Sequence, residues 1–181
     1  MDYGPSDAYT TSFYRYENGT LRPLGTVEGL ITYDSMNMGF VLDGKGRVYT
    51  TMRLSVLQTW WAVVCWELND EGVLELRPQE VYDAQRFAYV TMDGETKTSH
   101  TLLKEVLAYD DRVGDSAGIL PAGAEITLTG TDNREWVRIS TAEGEERWLR
   151  LDTSQVYPVN VQTPKGFVYA GEVIAYLNYA D

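Results

Sequence analysis

The chain has little of what reactive sites are usually built from, with one cysteine and one histidine among 181 residues. Cys65 alone can close no internal disulfide and cannot make a Cys-rich metal site. His100, the sole imidazole, gives no basis for a His-based zinc site or a Ser-His-Asp triad. A Cys-His pair would require His100 to meet Cys65, which sits inside the apolar run Trp60-Trp61-Ala62-Val63-Val64-Cys65-Trp66. Positive charge is scarce as well: 15 Lys and Arg stand against 27 Asp and Glu, a net charge of −12 with a pI near 4.5. Phosphate backbones and anionic lipid are held by clustered cations, so nucleic acid and membrane surfaces are not expected partners. No apolar run reaches the ~18 residues a membrane span needs. Met1-Asp2-Tyr3-Gly4-Pro5 lacks the basic start and apolar stretch of a signal peptide, so a soluble chain is expected. Asp43-Gly44-Lys45-Gly46 has neither the spacing nor the following helix pattern of a phosphate loop.

What the chain does have is turns. Glu17-Asn18-Gly19-Thr20, Asp43-Gly44-Lys45-Gly46, Asn69-Asp70-Glu71-Gly72, Met92-Asp93-Gly94-Glu95 and Ala142-Glu143-Gly144-Glu145 each separate segments rich in Tyr, Trp, Val and Thr. Asn-Gly and Asp-Gly supply the positive φ of tight hairpins, which predicts an all-β, antiparallel protein. In residues 12–27, Tyr14 and Tyr16 share one face and Leu21 to Val27 return beside them. From Thr59 to Leu68, apolar residues occupy both faces, which predicts a central strand buried on both sides with Val73–Arg77 as its partner. Hairpins of an aromatic strand, a turn and a Leu- or Val-rich strand recur across residues 12–83. This weak repeat is similar to β-propeller blades, though too short to close a propeller. Two units are expected: an antiparallel, hairpin-rich sheet unit over residues 1–85, and a second unit over residues 86–181.

In the second unit, strict alternation places Ala124, Ile126 and Leu128 inward, then Val137 and Ile139, then Leu149 and Leu151. Trp136 and Trp148 fall on the faces opposite these aliphatics. Ser99 to Tyr109 fits two readings, a helix capped by Ser99 with Leu102, Leu103, Val106 and Leu107 on one face, or a strand. After Leu151, several tyrosines predict a packed tail that covers a sheet edge.

The order Val106-Leu107-Ala108-Tyr109, Ser116, Ile119-Leu120-Pro121-Ala122-Gly123, Ile126-Thr127-Leu128, Trp136-Val137-Arg138-Ile139 and Glu146-Arg147-Trp148-Leu149 resembles the bacterial SH3 (SH3b) family over about residues 102–151. The resemblance implies a strand at Val106–Tyr109 and an SH3-like small β-barrel used for binding, often to cell-wall peptide or glycan in exported bacterial proteins. It departs from the family at Arg147, where glycine usually precedes the second Trp.

The candidate ligand-binding residues are Tyr109, Trp136, Arg147 and Trp148, because aromatic faces stack on sugars or pack on extended peptide at low entropic cost. The opposing expectation is that the same rings seal the barrel. The acidic loops Asp110-Asp111 with Asp115, and Asn69-Asp70-Glu71, lack the full calcium-loop pattern and read as solvated turns. Asn18-Gly19-Thr20 matches a glycosylation acceptor but has a sufficient reason as a hairpin tip. No cofactor, metal or catalytic residue is expected. The functional expectation is a non-catalytic binding or scaffolding module of a bacterial exported or cell-surface protein. The alternative is a purely structural spacer among other domains of a larger protein, and a carboxylate-dependent glycan hydrolase is the remote third reading.

Overall fold

The computed structural model describes residues 10–28, 32–33, 38–39, 41–84, 89–90, 94–114, 117–154 and 159–177. Met1–Pro5, the expected unit boundary at residue 85, Asp115, Ser116 and most of the Met92-Asp93-Gly94-Glu95 turn lie outside them. The chain is all-β and divides into two compact units, Met1–Arg53 with Trp61–Glu80 and Ala180–Asp181, and Leu54–Trp60 with Val81–Tyr179.

The first unit opens with the hairpin of β1 (Thr10–Glu17) and β2 (Thr20–Glu28), whose tip is Asn18-Gly19. Both tip residues have positive φ, 49° and 79°, and their twist matches that of the strands they join. The short pair β3 (Thr32–Tyr33) and β4 (Met38–Gly39) follows. A four-stranded sheet is then laid down in chain order by β5 (Val41–Leu42), β6 (Arg47–Leu54), β7 (Trp60–Leu68) and β8 (Leu74–Leu76). Its turns are held by side chains. Asp43 Oδ1 accepts from the Lys45 and Arg47 amides, and Asn69 Oδ1 from those of Glu71 and Val73. Val27, Val48 and Leu74 form a core with Phe13, Leu24, Trp66 and Leu68 packed against it, and the Trp66 indole donates to Thr50 Oγ1 at 2.9 Å. Strand β7 is central and pairs with β8 as expected, but it is not buried on both sides, since Val63 remains 43% exposed.

The second unit contains β9 (Tyr82–Asp83), β10 (Tyr89–Val90), β11 (Thr96–Lys97), β12 (His100–Thr101), β13 (Val106–Tyr109), β14 (Ala117–Leu120), β15 (Glu125–Thr131), β16 (Trp136–Thr141), β17 (Glu146–Asp152), β18 (Asn160–Thr163) and β19 (Gly166–Tyr169). Its main sheet runs β12-β15-β16-β17-β13-β14, with β9 added to β15 and β18 to β17. Ser99–Tyr109 is therefore extended where it is ordered into secondary structure. His100 and Thr101 pair with Ile126 and Glu125, Val106–Tyr109 pair with β14, and Ala108 and Tyr109 also pair with β17. Neighbouring strands satisfy the backbone groups that a helix would have satisfied internally. Leu103, which a helical face would have buried, is 52% exposed.

Ile126, Leu128, Val137, Ile139, Leu149 and Leu151 are buried as the alternation requires, together with Val106, Ala108 and Val161, whereas Ala124 is half-buried. Each of the buried Val, Leu and Ile side chains contributes about 1.5–3 kcal/mol by leaving water. The tail after Leu151 extends the sheet: Leu151 pairs with Val161, and Leu102 bridges to Ile174. Strand β15 carries an irregularity between Leu128 and Gly130, and Gly130 pairs there with Asp83. A Cβ on Gly130 would stand 3.0 Å from the Tyr82 carbonyl oxygen, so a larger residue requires β9 to shift by a few tenths of an ångström.

Candidate functional site

Strand register decides which side chains share a surface. Trp136 lies opposite Arg150, Arg138 opposite Trp148, and Trp148 opposite Tyr109, so these residues face one way; Val137, Ala108 and Leu149 face the other, into the core. The surface behind the aliphatic core is thus a strip of rings and guanidinium groups across β13, β17 and β16.

Part of that strip is closed. Tyr109 and Trp136 are each 6% exposed and meet edge to face, with ring centroids 5.3 Å apart. The Tyr109 hydroxyl donates to Gln162 Oε1 on β18 at 2.8 Å. Gly114 crosses next to the same pair, close enough that a Cβ there would be 3.5 Å from the Trp136 ring. The Arg150 guanidinium sits 5.7 Å from the Trp136 ring centroid. Backbone placement of Trp136 comes from the preceding turn: its amide donates to Asp132 Oδ1, and its carbonyl accepts from Thr131 Oγ1 at 2.8 Å.

Trp148 is half-buried, with the Arg112 guanidinium over its ring at 5.4 Å. Its cross-strand neighbour Arg138 donates to Thr129 Oγ1 at 3.1 Å and to Asp83 Oδ1 at 2.5 Å. Arg147, at the position where the SH3b pattern has glycine, belongs by alternation with Leu149 rather than Trp148. It is nonetheless partly exposed, and its guanidinium donates to Asp110 Oδ1 at 2.6 Å and Glu145 Oε2 at 3.0 Å. It ties the loop after β13 to the turn before β17.

The structure thus brings Tyr109, Trp136 and Trp148 onto one face and gives Arg147 two carboxylate partners. Arg112, Arg138 and Arg150 belong to the same surface and were missed from sequence. Alternation carried the signal for Arg138 and Arg150, two residues from Trp136 and Trp148 respectively; Arg112, in a loop, gave none.

The lone titratable residues are otherwise engaged. His100 is buried, with Nδ1 3.1 Å from the Ala175 carbonyl oxygen, and its pKa is lowered by burial, which the Ala175 carbonyl and the nearby Glu125 carboxylate oppose. Hydrogen bonds from Ser99 and Thr101 hold the Glu125 carboxyl below its ordinary range. Cys65 is buried, its Sγ 3.9 Å from the Trp66 carbonyl. Asp111 accepts from the Val113 and Gly114 amides, which is turn capping. Among the described residues no three His, Cys, Asp or Glu side chains converge as a metal site requires. A depression of about 500 Å³ lined by Lys104, Glu105, Thr163, Pro164, Lys165 and Val168 includes none of the four candidate residues.

No family model, curated protein or solved structure matches the chain. Its own geometry is what bears on function.

Proposed function

We propose that the second unit is an SH3-like barrel serving as a non-catalytic binding or scaffolding module of a bacterial exported or cell-surface protein, and that it contacts peptide or cell-wall glycan through Trp148. The observation that carries this reading is the division of the aromatic strip. Tyr109 and Trp136 are buried, while Trp148 is only half-buried, with the Arg112 guanidinium over its ring. A half-buried indole next to a guanidinium suits the hydroxyls of a sugar or the carbonyls of an extended peptide. The meander β15-β16-β17, with β13 returning onto β17, supports the barrel reading because these strands follow the order the SH3b resemblance implies.

Co-sedimentation of the full chain with purified peptidoglycan, followed by peptide and glycan arrays, tests the proposal. Retention abolished by Trp148→Ala supports it. Absence of retention on every surface overturns it and favours the spacer reading, for which the burial of Tyr109 and Trp136 is the specific observation.

A further inference from the structure

The outer half of the β1–β2 hairpin, Tyr14–Glu17 against Thr20–Pro23, is exposed along its whole length. Register sorts its side chains onto two faces. Tyr14 stands opposite Pro23 and Tyr16 opposite Leu21 on one, and Arg15 stands opposite Arg22 on the other. Tyr14, Tyr16 and Leu21 are 59%, 73% and 64% exposed, an apolar cluster rather than the scattered single residue that ordinary surfaces show.

The opposite face is as unusual. Like charges directly across a strand pair destabilise it, yet Arg15 and Arg22 occupy such a pair and neither guanidinium forms an ion pair or side-chain hydrogen bond with a described residue. The cost is borne in a chain of net charge −12, where carboxylates to neutralise them are plentiful. Among the described strands β1 pairs with β2 alone. On β2, Pro23 has no N–H to give to an added strand, which leaves the β1 side as the better edge.

We propose that this arm docks an extended acidic segment of a partner protein, added as a strand beside Tyr14–Glu17. Strand alternation then sets its carboxylates beside Arg15, with Arg22 one strand further along the same face, and its apolar side chains beside Tyr14 and Tyr16, with Leu21 behind them. The rest of the acidic chain repels such a segment, so recognition is confined to the arm. The inference is independent of the role given to Trp148.

The test is an NMR amide titration of the full chain at low salt with an acetylated Glu-Val-Glu-Val-Glu-Val peptide, with a Lys-Val-Lys-Val-Lys-Val peptide as control. The expected result is shifts confined to Tyr14–Pro23 for the acidic peptide and affinity lowered at least about tenfold in R15E/R22E, whose amide spectrum elsewhere stays native. Equal response to both peptides, no response to either, or an unaffected charge-reversal variant overturns the proposal. So does a hairpin response that appears on self-association or with phosphatidylserine vesicles in place of the acidic peptide.

Discussion

The rings of Tyr109 and Trp136 meet at 87° with centroids 5.3 Å apart, joining β13 to β16 across the intervening β17. This contact sits on the face away from the aliphatic core, so the sheet of the second unit is packed on both sides at Tyr109 and Trp136. Two residues proposed as ligand contacts are thereby part of the fold.

Trp136→Ala should lower unfolding stability by about 3–5 kcal/mol, the range for truncating a buried aromatic. Tyr109→Phe keeps the ring contact and loses only the hydrogen bond to Gln162, at about 0.5–1.5 kcal/mol. Urea unfolding midpoints measure both. Equal losses in the two variants would contradict the assignment.

Gly130→Ala forces a Cβ to within 3.0 Å of the Tyr82 carbonyl and 3.2 Å of the Arg138 guanidinium, and should cost about 1–3 kcal/mol. Gly118→Ala is the matched control, because its nearest neighbour would be the Ala108 carbonyl at 4.0 Å. Thermal melts should separate the two, with Gly118→Ala close to the parent.

Acid should destabilise the second unit in two phases. His100 has a folded pKa below its ordinary 6.5, so the folded state disfavours the proton, and the stabilisation present above 6.5 is lost as pH falls from there. Glu125, also lowered, contributes above its ordinary 4.5 and loses that contribution as pH falls through its folded value. Thermal midpoints across pH 7 to 3 check the sign, and His100→Gln should remove the upper phase and leave the lower.

Arg147→Gly should cost less than about 1 kcal/mol, since both of its ion pairs are partly exposed and screened. The difference from the parent should shrink further in high salt. A loss of several kcal/mol would mean that the link from Asp110 to Glu145 organises the loop.

Much of this architecture was legible in the residues. Turn chemistry located the hairpins at Asn18-Gly19 and Ala142–Glu145, and period-two alternation sorted Val137, Ile139, Leu149 and Leu151 from Trp136 and Trp148. Alternation says which side a ring takes and not whether that side is covered. Trp136 is covered by Gly114, Tyr109 and Arg150, and Tyr109 is anchored by Gln162; no local pattern records these contacts. The same limit explains Val63, whose strand position is central while its face stays open, and Ser99–Tyr109, where a helical spacing of leucines gave way to pairing partners on β14, β15 and β17. Arg147 stands out in the sequence only by its position before Trp148, and its partners Asp110 and Glu145 come from the fold.

The division of the aromatic strip is best tested by comparing Trp136→Ala with Trp148→Ala in one experiment that records the thermal midpoint and retention on peptidoglycan. Trp136→Ala is expected to lower the midpoint sharply, while Trp148→Ala stays near the parent midpoint and loses retention. A Trp148→Ala variant that is retained like the parent, or that unfolds as readily as Trp136→Ala, would contradict that division.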